Sequence, residues 1–107
     1  MPTAQFIHDG DVVDYTPGTD VAAGAIVVLN DLVGIAKRDI KANALGALAV
    51  VGVFDVDKVL ANTFAVGAKV YWDATAGKAT SNATGTVLLG KAILAAVANS
   101  TTVRVLL

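Results

Sequence analysis

The sequence predicts an all-β fold: a small barrel or sandwich of short antiparallel strands, with an extended N-terminal arm and at most one short helix. Three observations predict it. Val and Thr are frequent and Gly recurs at intervals, as in short strands separated by turns. No long stretch keeps the 3.6-residue apolar period of an amphipathic helix. Finally, two stretches echo each other. Gly24-Ala25-Ile26-Val27-Val28-Leu29-Asn30-Asp31 reappears as Gly67-Ala68-Lys69-Val70-Tyr71-Trp72-Asp73-Ala74. Each is followed by a Gly-x-Ala segment, Leu32-Val33-Gly34-Ile35-Ala36 and then Leu88-Leu89-Gly90-Lys91-Ala92. Strand, turn, strand is a scaffold pattern that carries no cluster of reactive groups. Alanine favours helix by intrinsic propensity, but here it mostly flanks Gly and Val and reads as small packing positions.

Taken in order, residues 5–8 form a first strand inside an arm spanning 1–9. Residues 11–15 form a second, across the Asp9-Gly10 turn signal. Thr16-Pro17-Gly18-Thr19-Asp20 is a loop. Residues 25–29 and 32–36 make a hairpin around Asn30-Asp31. Residues 48–56 form one long strand, and 58–64 hold at most one helical turn. Residues 68–73 and 78–81 make a second hairpin around 74–77. Residues 87–95 and 101–107 close the chain, joined by the polar turn Asn99-Ser100. Alternation assigns faces. Ala25, Val27 and Leu29 share one, and Ala68, Val70 and Trp72 share the matching one. Val103, Val105 and Leu107 point inward while Thr102 and Arg104 point outward. In the long strand Val50, Phe54 and Val56 oppose Val51, Val53 and Asp55, which predicts burial on both faces as far as Asp55.

At 107 residues the chain is expected to be one domain over 1–107. Hydrophobic residues make up 55% and charged residues 16%, against about 45–50% and 25% in a typical soluble chain. A membrane span does not explain the excess, because a span needs roughly 18–20 apolar residues in a row. The longest candidate, 44–54, is shorter and is broken by Gly46 and Gly52. Association with other chains explains it better, since surplus apolar side chains on a small domain tend to lie at interfaces. The net charge of −1 and the absence of a basic run speak against nucleic-acid binding. Without cysteine there is no disulfide, thiolate nucleophile or Cys-based zinc site. The N-terminus lacks the basic start and apolar core of a signal peptide, so synthesis in a cytoplasm is the expectation.

Candidate chemistry is sparse. His8, the only His, sits in His8-Asp9-Gly10-Asp11 and reads as a turn residue, because strand neighbours diverge to opposite faces. Asp55 and Asp57 share one strand face, as a general acid and base pair does. They equally solubilise a strand end with Lys58 screening them, and no nucleophile or phosphate loop accompanies them. Asn82-Ala83-Thr84 and Asn99-Ser100-Thr101 match the glycosylation pattern and read as turns. No catalytic residue, metal ligand or cofactor is assigned. Trp72, the only Trp, is first a core residue and second an interface anchor. Gln5, Phe6 and Ile7 form an apolar arm of the kind that adds a strand to a neighbouring chain.

Four segments then read together. They are Gly52-Val53-Phe54-Asp55-Val56-Asp57-Lys58, Val66-Gly67-Ala68-Lys69-Val70-Tyr71-Trp72-Asp73, Leu89-Gly90-Lys91-Ala92 and Thr101-Thr102-Val103-Arg104-Val105-Leu106-Leu107. With Phe6 and the Gly10-Asp11 turn ahead of it, this series resembles the tailed-phage and prophage capsid cement, or head decoration, proteins over nearly the whole chain. It departs where family members often carry Leu-Pro before the lysine and this chain has Val56-Asp57.

The resemblance implies a structural, non-enzymatic virion protein on the outer capsid surface, made in the bacterial host cytoplasm. It implies binding to the expanded icosahedral head, where the protein staples neighbouring major capsid protein subunits. It implies a homotrimer, with no nucleic-acid or membrane partner. Gln5, Phe6, Ile7 and Trp72 are the expected partner contacts, with the arm ordered only on the capsid. The alternative is a soluble prophage-encoded ligand-binding or regulatory β-barrel, and a third reading is a hydrolase using Asp55 and Asp57.

Overall fold

A computed structural model describes residues 3–107; Met1 and Pro2, part of the expected arm, lie outside the described residues. The chain forms nine strands and no helix among the described residues: β1 (Val12–Tyr15), β2 (Ile26–Leu29), β3 (Leu32–Ala36), β4 (Gly46–Ala49), β5 (Val53–Asp57), β6 (Lys69–Asp73), β7 (Lys78–Thr80), β8 (Val87–Ala92) and β9 (Thr102–Leu106). They build two antiparallel sheets, β1-β4-β3-β2 and β5-β9-β8-β6-β7. A lone bridge between Lys58 and Ala79 brings β7 back towards the end of β5, so the second sheet curls without closing. Between barrel and sandwich, the fold is sandwich-like.

The echo proves to be one four-stranded motif used twice. In each sheet the first strand of the half pairs with the last, the last with the third, and the third with the second. The registers correspond residue for residue: Val12 opposes Ala49 and Tyr15 opposes Gly46, as Val53 opposes Leu106 and Val56 opposes Val103. Loop hydrogen bonds repeat as well. Val21 and Ile40 exchange both backbone bonds at 2.8 Å, as Phe64 and Ala96 do at 2.9 and 2.8 Å. Gly24 donates to Ala36 and Gly67 to Ala92, and both glycines have φ +87°, a left-handed conformation that L side chains rarely adopt. Asn43 and Asn99 take the corresponding turn positions with φ 64° and 73°, tolerated because Asn visits this region more readily than most residues. Relative to the first half, β7 and its flanking turns are an insertion between the second and third strands.

The Gly-x-Ala segments have a packing origin. Gly34 and Gly90 occupy the same place, where the third strand crosses closely over the last. A Cβ on Gly34 would lie 2.7 Å from the Leu48 Cβ; one on Gly90 would meet the Leu106 carbonyl oxygen and the Val105 side chain. Elsewhere the two halves exchange volume. Gly46 has no room for a Cβ because Ile40 would be 2.7 Å away, whereas the second half places Val103 and Ala96 at those two positions.

Alternation was legible. Val27, Leu29, Val13 and Tyr15 pack on the buried Ala36, Ile40 and Leu48 in the first half. Val70, Ala92, Val103 and Val105 fill the second, with Trp72, Phe54 and Leu107 against them. The outer face of the first sheet, through Val33, Ile26 and Val28, joins that second core, and this joins the halves. Two expectations are corrected. The long strand 48–56 is two strands in different sheets, parted at Gly52, whose φ of +126° turns the chain; Val51 and Val53 are accordingly exposed. Residues 5–8 pair with nothing and are exposed: the turn at Gly10 and Asp11 leads them away from β1, and the free edges of β1 and β2 stay unpaired among the described residues.

Candidate interaction surfaces

Of the residues that suggested chemistry, Asp55 and Asp57 line one cleft, as their shared strand face predicts, and the others are spread apart or engaged in structure. His8 is exposed, its Nδ1 2.6 Å from the Asp9 carbonyl oxygen. Asp55 accepts two hydrogen bonds from Arg104, at 2.9 Å from Nε and 3.2 Å from an Nη. The two stand directly opposite on β5 and β9. Lys58 does not screen these carboxylates. It points inward, 1% exposed, and its Nζ donates to the carbonyls of Val59, Leu60 and Asn62. Asn82 accepts from the Thr84 N–H at 3.0 Å and Asn99 holds a left-handed turn, so both glycosylation-like sequences are turns. No group of three or more His, Cys, Asp or Glu is placed to hold a metal ion among the described residues.

Arg104 holds the Asp55 carboxyl below its usual pKa, chiefly by the side-chain hydrogen bond; desolvation opposes this, and the arginine's charge adds a smaller lowering. A carboxyl depressed in the folded state adds stability above its unfolded pKa and loses that stability as pH falls through the folded value. Both side chains are about half exposed, so the contribution is small. Arg104→Ala is expected to move the Asp55 titration midpoint upward, towards the ordinary carboxylate range, in a carboxyl-detected NMR titration. An unchanged midpoint would contradict the pairing.

Three features face outward. The first is the arm: every residue from Thr3 to Gly10 is exposed, with Phe6 at 78% and Ile7 at 76%. The second is a cleft of ≈ 470 Å³ between the halves, lined by Ile26, Ile35, Phe54, Asp57 and Trp72 among others. Trp72 is half-buried there and packs on the second core, so its core role dominates and only part of the ring is reachable.

The third is a surface that sequence reading missed. The loop segments 59–68 and 92–103 contain no charged residue and run alongside each other. Asn99 donates to Leu60, Phe64 and Ala96 are bridged, and Gly67 donates to Ala92. Leu60, Val66, Leu94 and Val97 on these segments are 52%, 69%, 52% and 66% exposed. The repeat makes the absence of charge informative. The corresponding loops of the first half carry Asp20, Lys37, Arg38, Asp39 and Lys41; the second half places Thr63, Ile93, Leu94, Ala95 and Val97 there. One backbone motif therefore has a solvated version and a charge-free version. Extending the echo beyond the hairpins into the loops would have exposed this signal.

The sequence model for phage cement proteins matches residues 7–107. The chain belongs to the phage cement protein family. No curated protein and no solved structure matches it. The family is a structural one, associated with the phage capsid, and gives this cement protein a capsid decoration role. The fold agrees with that role: two copies of a strand motif, and apolar surface held outward.

Proposed function

We propose that this cement protein binds the outer surface of the expanded icosahedral head and stabilises contacts between neighbouring major capsid protein subunits. It acts as a homotrimer made in the host cytoplasm. The observation that carries the reading is the charge-free face built on segments 59–68 and 92–103. Four large apolar side chains in water are unfavourable for the free protein, and burying them is worth about 25 cal/mol per Å² of apolar surface removed from water. The corresponding charged loops of the first half would pay desolvation at the same contact, so the two ends of the molecule differ in what they can bury. Gln5, Phe6 and Ile7 of the arm and the exposed part of Trp72 are assigned as further partner contacts, to the capsid or to a neighbouring copy in the trimer. Linking three such subunits raises the effective concentration of each contact, so avidity exceeds any single affinity.

Co-sedimentation with expanded, DNA-free heads tests the reading. Leu94→Asp combined with Val97→Asp should weaken head binding at least thirty-fold, about 2 kcal/mol, the scale of an interface hot spot. Both positions are exposed, so thermal stability should change by no more than about 0.5 kcal/mol. Unchanged binding by this folded variant, or no binding by the unmodified protein in excess, would overturn the assignment.

A further inference from the structure

The two halves differ at one more place, and there the second half shows what the first half lacks. On β5 and β9, Asp55 faces Arg104, whose side chain lies across the sheet and leaves only ≈ 140 Å³ of open groove beside it. On β1 and β4 the corresponding pair is Asp14 and Ala47. The carboxylate is retained, but the arginine is gone. A groove of ≈ 470 Å³ opens instead, floored by Val12, Ile40 and Ala47 and walled by Leu45, which is 71% exposed. Its rim carries three cations, Lys37, Arg38 and Lys41, and one carboxylate, Asp39, which accepts the Ala23 N–H; Lys41 lies 3.8 Å from Asp20, and neither Lys37 nor Arg38 is in an ion pair among the described residues. The second half has Ile93 and Leu94 at those rim positions. The groove therefore suits an apolar side chain followed by carboxylates, an arrangement opposite in charge to its rim.

The chain carries such a segment. Phe6 and Ile7 are followed by Asp9 and Asp11, and neither aspartate is ion-paired among the described residues. The arm starts beside its own groove, since Val12 lines it, yet it leaves through the turn at Gly10 and Asp11 and stays exposed. It does not fill the groove of its own chain.

We infer that the groove receives Phe6 and Ile7 from the arm of a second copy, with Asp9 and Asp11 against Lys37 and Arg38. From Phe6 to Val12 the extended chain reaches at most about 20 Å, enough to cross a subunit boundary. Arm into groove is a head-to-tail contact in which each copy gives one arm and receives one. Such contacts close into rings when the rotation allows. The inference deepens the self-association within the proposed function and rests on it for the biological setting.

A fluorescein-labelled peptide of residues 3–11 is titrated into the full-length chain carrying Phe6→Asp and Ile7→Asp, which removes competition by the resident arm. Saturable binding is expected, weakening with salt. Lys37→Glu with Arg38→Glu should weaken it roughly tenfold, the loss of two exposed pairs. A peptide with Asp9→Lys and Asp11→Lys should recover binding to that variant. Ala47→Arg should block the site by restoring the side chain found in the second half, with Asp14 ready to accept the guanidinium. Absence of peptide binding, or equal binding to the Ala47→Arg and rim-reversed variants, overturns the inference. Head co-sedimentation separates the two proposals: heads bound without peptide binding sinks this one alone, and peptide binding without head binding sinks the capsid reading alone.

Discussion

Gly90→Ala is expected to destabilise the protein by about 3 kcal/mol, measured as a lowered midpoint at constant slope in urea unfolding. Gly34→Ala, at the corresponding place in the first half, should lose about 2 kcal/mol. Both fall within the range of overpacking a close contact, and the obstacle decides their order. A Cβ on Gly90 would press on the Leu106 backbone carbonyl oxygen, with the Leu106 carbonyl carbon at 3.0 Å and Val105 Cγ1 at 2.8 Å. Relief requires moving β9, and β9 pairs with both β5 and β8. The nearest atoms to a Cβ on Gly34 all belong to the Leu48 side chain, its Cβ at 2.7 Å. Leu48 is fully buried and its Cβ moves only with its own backbone, so relief there also shifts β4, but by less than the displacement of β9 that a carbonyl oxygen under Gly90 demands. Equal losses at the two sites, or a loss under about 1 kcal/mol at Gly90, would contradict the close crossing.

The same glycines show how much of the molecule the sequence discloses. Their recurrence was visible, because a position that excludes a Cβ keeps glycine in both copies of the motif. The faces of the echoing hairpins were visible because Leu29 and Trp72 stand at matching positions, each packed on the core of its own half. The division of 48–56 was hidden. Val50, Val51 and Val53 continue an apolar, β-branched run across Gly52, and pattern alone does not separate a strand that is buried on both faces from two strands joined by a turn. The true extent of the repeat was also hidden. Its loops keep backbone hydrogen bonds rather than side chains, so Asp20, Lys37 and Arg38 look unrelated to Thr63, Ile93 and Leu94 until register aligns them. The candidate surfaces divided the same way. Phe6 and Ile7 stood out as apolar residues beside a turn. The charge-free face combines segments about thirty residues apart and is defined by what its charged counterpart contains.

Lys58→Met is expected to lower stability by roughly 2–3 kcal/mol in the same urea assay. Lys58 is the largest fully buried side chain in the chain's described part, and no carboxylate accompanies it. Its three donors meet three carbonyl oxygens, Val59 and Leu60 at 3.2 Å and Asn62 at 2.8 Å. One side chain thus gathers the loop that follows it. Asn62 extends the grip, because its Oδ1 accepts from Thr80 Oγ1 at 2.7 Å and from the Ser81 N–H at 3.0 Å. Methionine keeps most of the stem volume but leaves the carbonyls without their donor, at about 1–3 kcal/mol for each one kept from water. Relief from burying the ammonium offsets part of that loss, and the loop is exposed at Leu60, so the sum stays below the maximum. Counted from the strand register the first half has Pro17 at this position, also buried; by hydrogen bonding Pro17 stands for Leu60, since it accepts the Asn43 N–H as Leu60 accepts that of Asn99, so the second half carries two extra residues here. A rigid ring and a gathered loop meet the same demand: to fix where the chain leaves the first strand of the motif. The loop that Lys58 holds is also one side of the charge-free face. Lys58→Met should therefore speed amide exchange at Val59 and Asn62 and weaken head binding, while exchange at Val21 and Ile40 in the first half stays unchanged. A loss of stability under 0.5 kcal/mol, or exchange accelerated equally in both halves, would remove Lys58 from that role.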